Sequence, residues 1–155
     1  MSQRDQRQRQ RAAARLYAVQ ALFQMEAAGQ GSQSVIREFE DHRIGQTLDD
    51  GGTMGEADIQ LFRQLIDEAV TWQAKIDQMT DRALVAKWPI ARIDPTLRAL
   101  FRAAGAELLD AGKPPKVIIN EFVNVAKAFF PEGREAGFVN AVLDHMAREA
   151  RPDAF

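Results

Sequence analysis

Apolar residues recur at helical spacing along almost the whole chain. Leu16, Val19, Leu22 and Phe23 fall on one face of a first helix predicted over about residues 8–28, which Gly29 and Gly31 end. A short second helix is predicted after Ser32 or Ser34, with Val35, Ile36 and Phe39 inward. Residues 42–55, with Asp49-Asp50-Gly51-Gly52 and Gly55, read as a loop. The helical period returns with Ile59, Phe62, Leu65, Ile66 and Ala69. It continues in a different phase through Ile76, Met79 and Ala83, which predicts a break near Thr71–Ala74. Pro89 disfavours helical geometry at Trp88 and ends that segment. Asp94-Pro95 is a restart, since Asp94 can cap free amides and Pro95 suits the first helical position. Leu97, Leu100, Phe101, Ala104 and Leu108 follow on one face, with Gly112 closing the helix and Pro114-Pro115 enforcing a turn. Ile118, Phe122, Val125 and Phe129 mark a helix from about Pro115 to Phe130, and Val139, Val142, Leu143 and Met146 mark a last one from about Arg134 to Ala150. Phe138 precedes Val139, and the two cannot share one inward direction, so one of them belongs at a boundary. No stretch alternates as a strand does. The pattern predicts an all-α fold of about seven helices, with short links that favour antiparallel neighbours.

Charge changes the picture at one end. Residues 1–15 hold Arg4, Arg7, Arg9, Arg11 and Arg15 against Asp5, a local charge of +4; the chain carries −2, so the remainder carries −6. Extended backward, the first helix lines up Arg4, Arg7, Arg11 and Arg15 beside its apolar face, a handle for a phosphate backbone. The stretch reads equally as a solvated terminus. A length of 155 residues suits one domain, or two small subdomains sharing a core. The absence of cysteine excludes disulfides, thiolate metal sites and cysteine nucleophiles. No apolar run reaches the roughly 18–20 residues of a membrane span, and the start lacks a signal-peptide core, so a cytoplasmic protein is expected.

Catalytic chemistry finds little footing. His42 and His145 are the only histidines, they lie in different predicted elements, and neither has a second histidine at zinc-motif spacing. No phosphate-binding glycine loop or nucleophile elbow is present. The expectation is a protein that is not an enzyme and holds no metal or cofactor. Two constellations stand out. One is the arginine stripe with Tyr17 and Phe23. The other is the C-terminal helix pair, where Lys113, Lys116, Lys127 and Arg134 sit at the turns and Phe138 is a boundary ring able to stack on a base. Asn120 and Asn140 are expected to satisfy buried backbone groups.

Ala18-Val19-Gln20-Ala21-Leu22-Phe23 after an arginine-rich start resembles the opening of the NusB family of bacterial transcription antitermination factors. Pro115-Lys116-Val117-Ile118-Ile119-Asn120-Glu121, then Ala126-Lys127, then Phe138-Val139-Asn140-Ala141-Val142-Leu143-Asp144 resembles the family's C-terminal signature, in the same order and spacing. The resemblance covers nearly the whole chain. It implies a single helical domain over 1–155 built of two packed three-helix subdomains, about 1–85 and 86–150, with a seventh helix and a basic arm at 1–15. It implies binding of boxA single-stranded RNA, chiefly in ribosomal RNA operon transcripts, as a heterodimer with the ribosomal protein NusE. Other Nus factors and RNA polymerase complete the antitermination complex. The implied RNA-binding residues are Arg7, Arg9, Arg11, Arg15, Phe23, Lys116, Arg134 and Phe138. The family often has arginines where Ala12 and Ala13 stand, and Arg7 and Arg9 can compensate from farther out. The competing reading is a helical protein-interaction module without an RNA role. A third, the N-terminal part of an RNA methyltransferase, ranks below both.

Overall fold

The computed structural model describes residues 2–44, 57–84 and 93–155. Those residues form seven α-helices and no strand: α1 (Gln3–Ala28), α2 (Ser32–His42), α3 (Ile59–Thr71), α4 (Gln73–Ala83), α5 (Pro95–Leu108), α6 (Pro115–Phe129) and α7 (Glu135–Ala150), followed by a 3-10 turn at Pro152–Ala154. The all-α expectation holds. Most of the predicted 42–55 loop, the Trp88-Pro89 stop and the subdomain boundary near residue 85 lie outside the described residues.

α1 starts at Gln3, five residues before the position read from the apolar pattern. Ser2 is the reason: its hydroxyl accepts the Asp5 N–H at 3.1 Å and satisfies one of the free amides of the first turn. Asp5 also complements the positive end of the helix dipole. The arginines therefore stand on a helix rather than on a loose arm. Gly29 ends α1 in the left-handed region at φ 65, where a side chain would be strained.

The core is a single cluster. Phe39 stacks on Phe62 at 5.7 Å and meets Tyr17 edge-on at 6.3 Å, joining α2, α3 and α1. α3 and α4 change phase at Trp72, inside the break the sequence predicted. α5 runs through the centre, buried on most sides and packed on α1, α3, α4, α6 and α7. Asp94 caps it through the Thr96 N–H at 2.7 Å, with Pro95 at its first position. At Gly105 an added Cβ would lie 2.5 Å from Cγ2 of the buried Ile76, so α4 and α5 approach each other only because no side chain intervenes.

α5 stops at Leu108, short of the expected Gly112. The Asp110 carboxylate accepts the Gly112 N–H at 3.0 Å, and Arg151 donates to the Asp110 and Lys113 carbonyls at 3.0 and 3.1 Å. Those bonds hold residues 109–114 as a turn. α5 lies antiparallel to α1, since Arg15 meets Glu107 while Glu26 meets Arg98 and Arg102 farther on. Asn120 and Asn140 correct an expectation: both are exposed, so neither satisfies a buried backbone group. Val139 is fully buried and Phe138 is the boundary residue of that pair.

Candidate nucleic-acid interface

Arg4, Arg7, Arg9 and Arg11 are all exposed on the first turns of α1. The segment is held in place from the side. The Asp58 N–H donates to the Gln10 carbonyl at 2.9 Å, while the Asp58 carboxylate caps α3 through the Leu61 N–H at 3.0 Å. The start of α3 is thus fixed to the arginine end of α1.

Arg15 does not stand with the other four. It is only 6% exposed, and its guanidinium grips the Glu107 carboxylate with two bonds of 2.8 Å. Glu121 lies 3.4 Å from another of its nitrogens, and Lys113 donates to Glu107 at 3.0 Å. Burial alone would depress the Arg15 guanidinium; the bond and charge of Glu107, with the charges of Glu121 and Asp58, outweigh it and raise the group above its ordinary value. Burial alone would likewise raise Glu107, but Arg15 and then Lys113 hold its carboxyl below the ordinary range. This cluster ties α1, α5, the 109–114 turn and α6 together. The Arg15 guanidinium is thus buried and paired with a carboxylate, unlike the four exposed arginines that precede it.

α6 lies beside α1 and runs parallel to it. Arg11 and Arg15 line a groove of about 430 Å³ with Lys113, Pro114, Val117 and Ile118. Arg9 and Ala12 share a recess with Glu121, and Phe23 shares one with Phe129, so the two helices keep a constant offset. Lys116, in the first turn of α6, is exposed. The exposed cations Arg4, Arg7, Arg9 and Arg11 thus stand in the first turns of α1 and Lys116 in the first turn of α6, at the same end of the parallel pair.

Phe23 belongs to the other end. The helical rise puts about 28 Å between Arg4 and Phe23. Phe23 is 38% exposed in a groove of about 360 Å³ with Gln20, Arg43, Thr96 and Phe129. Gln20 Oε1 lies buried there without a hydrogen-bond partner among the described residues. Arg134 is exposed at the start of α7, and Phe138 one turn on is 38% exposed. The Phe138 ring rests edge-on against Phe101 at 6.1 Å, which fixes it while leaving part of it open. Thus the expected site residues form two groups, a cationic end and an aromatic end.

Sequence reading missed the outer face of α6. Lys116, Asn120, Asn124 and Lys127 follow one another at i+4 or i+3 spacing, and all are exposed. Since Ile118, Ile119 and Phe122 are the buried positions, turning about 100° per residue already places Asn120 away from the core. Among the described residues no group of three or more histidines, cysteines or carboxylates is placed to hold a metal, and no helix is long and apolar enough to cross a membrane.

The family model described as the NusB family matches residues 12–148. The chain belongs to the NusB family. The transcription antitermination protein NusB of Maricaulis maris is 47% identical over 152 residues, covering 97% of this chain and 94% of that protein. The NusB of Caulobacter vibrioides is 48% identical over 142 residues, covering 91% and 94%. Among solved structures, NusB of T. maritima superposes with a TM-score of 0.69 at 28% identity, covering 92% of this chain and 93% of that one. A complex of the antitermination factors NusB and NusE with double-stranded RNA gives a TM-score of 0.72 at 24% identity over 91% and 98%, a likeness of fold. The NusB match begins at Ala12, so it contains Arg15, Phe23, Lys116, Arg134 and Phe138, while Arg4, Arg7, Arg9 and Arg11 precede it.

Proposed function

We propose that the chain is a transcription antitermination factor of the cytoplasm that binds boxA-type single-stranded RNA together with NusE. Other Nus factors and RNA polymerase complete the assembly, and no enzymatic step is part of it. The observation that carries this reading is the row of exposed arginines on a capped, side-anchored helix, with Lys116 also exposed at the start of the parallel α6. Arg7, Arg9, Arg11 and Lys116 take the phosphates at the cationic end. Arg134, Phe138 and Phe23 serve the aromatic end, where an open ring face stacks a base. Arg15 keeps its place in the account as the residue that positions α1 against α6. The division into subdomains near residue 85 belongs to the same proposal.

The charge distribution argues for a partner. The basic end carries +4 and the rest −6, so the chain alone binds RNA weakly. Phosphate contacts position a strand without reading it. A second RNA-binding chain supplies what is missing, and NusE fits that role. The test is a titration of a boxA RNA and a scrambled RNA, by the chain alone and by its mixture with NusE. The expected result is a stable protein pair that prefers boxA more strongly than the chain alone does. A pair that binds both RNAs equally overturns the reading in favour of a helical interaction module.

A further inference from the structure

The arginines stand on α1, whereas Arg134 and Phe138 stand at the start of α7, and both helices pack against α6. The arginines of α1 adjoin the edge of α6 that carries Val117 and Glu121. Phe138 and Arg134 belong to α7, which packs against α6 and is joined to it by the turn at 130–134. A strand that runs from the arginines to Phe138 by way of Lys116 and Lys127 crosses the outer face of α6. That face presents Lys116, Asn120, Asn124 and Lys127 and no acid, although the body of the chain is acidic.

The two asparagines are unusual residues for that place. Neither side chain has a hydrogen-bond partner among the described residues, neither caps a helix end, and asparagine is a poor helix former in mid-helix. Nothing among the described residues accounts for them. A primary amide offers a donor and an acceptor side by side, which matches the edge of a base, and two of them one turn apart on a rigid helix can meet neighbouring bases. Lysines at both ends of the row hold the backbone without reading it.

We propose that Asn120 and Asn124 are specificity-determining residues, reading base edges of a single-stranded RNA that crosses α6 from the arginines to Phe138. The inference rests on the RNA-binding reading given above. It separates sequence preference, carried by α6, from salt-dependent affinity, carried by α1.

The test uses the full chain paired with NusE, a boxA RNA and a scrambled RNA, and the variants Asn120→Ala, Asn124→Ala and the double substitution. Alanine is the better helix former, so the variants keep the fold, which their thermal unfolding verifies. The ratio of boxA to scrambled affinity should fall about tenfold in the double variant. Affinity for scrambled RNA, and the slope of log affinity against log salt, should stay as in the parent protein. An unchanged ratio in a parent that does prefer boxA overturns the inference and leaves the RNA reading standing. An equal loss on both RNAs with weaker NusE pairing also overturns it, because it marks α6 as a protein contact. A parent that shows no preference overturns the inference and the RNA reading together.

Discussion

Arg15 and Glu107 are 92 positions apart in the chain and joined by two bonds of 2.8 Å in the fold. Removing one partner of such a buried pair leaves the other charged with weaker compensation, here from Glu121 at 3.4 Å and the more distant Asp58. Glu107→Gln should therefore cost about 3–5 kcal/mol of stability in denaturant unfolding at neutral pH. The pH dependence follows from the direction of the shift. The folded-state value of Glu107 lies below the ordinary carboxylate value of 4.5, so the stabilisation is fully present above that value and is lost as pH falls through the folded one. Between neutrality and acid, unfolding of Glu107→Gln should depend less on pH than that of the parent. A parallel pair of pH profiles would mean that Glu107 does not contribute in this way. Phe138 makes the contrasting case. Its ring is partly open and touches Phe101 only edge-on, so Phe138→Ala should weaken RNA binding by about 1–3 kcal/mol. A folding loss of about 3–5 kcal/mol with RNA affinity intact would instead class it as core.

At the scale of elements, α1 is a helix with two employments. From Ala14 to Leu22 it is largely buried, and from Gln3 to Arg11 it is a cationic rod, continuous because Ser2 caps it. Replacing Arg7, Arg9 and Arg11 by alanine should flatten the slope of log affinity against log salt by about two units, at roughly 0.7 for each phosphate no longer neutralised. Helicity measured by circular dichroism should not fall, since alanine favours the helix. An unchanged slope would show these arginines to be solvated. Much of this architecture is legible in sequence because it is local. Asp94-Pro95, the phase change at Trp72 and the choice between Phe138 and Val139 all follow from neighbours within a turn or two. What escaped depends on distant partners. The arginine stripe takes in Arg15 by spacing, because spacing records the face of a helix and not the carboxylate that faces it from α5. The end of α5 falls earlier than Gly112 because Arg151, from the far end of the chain, takes the carbonyls of the turn. The exposed asparagines of α6 were within reach of the periodicity, but apolar neighbours in sequence are not always apolar neighbours in space.

At the scale of the molecule, one buried charge cluster fixes the surface proposed to take RNA. Glu107, Arg15, Glu121 and Lys113 lock α5, α1, α6 and the 109–114 turn, so the cationic end has a defined shape. The aromatic end lies about 28 Å along α1. A surface of that extent on an acidic body suits one RNA strand shared with a second protein. Sharing has a thermodynamic signature. If NusE tightens RNA binding tenfold, RNA must tighten NusE binding tenfold, a coupling of about 1.4 kcal/mol. The direct measurement is the affinity of the chain for NusE, without RNA, with saturating boxA RNA and with saturating scrambled RNA. The expected result is a gain of about tenfold with boxA that scrambled RNA does not match. A NusE affinity that is the same in all three conditions, or no binding of NusE at all, would contradict it.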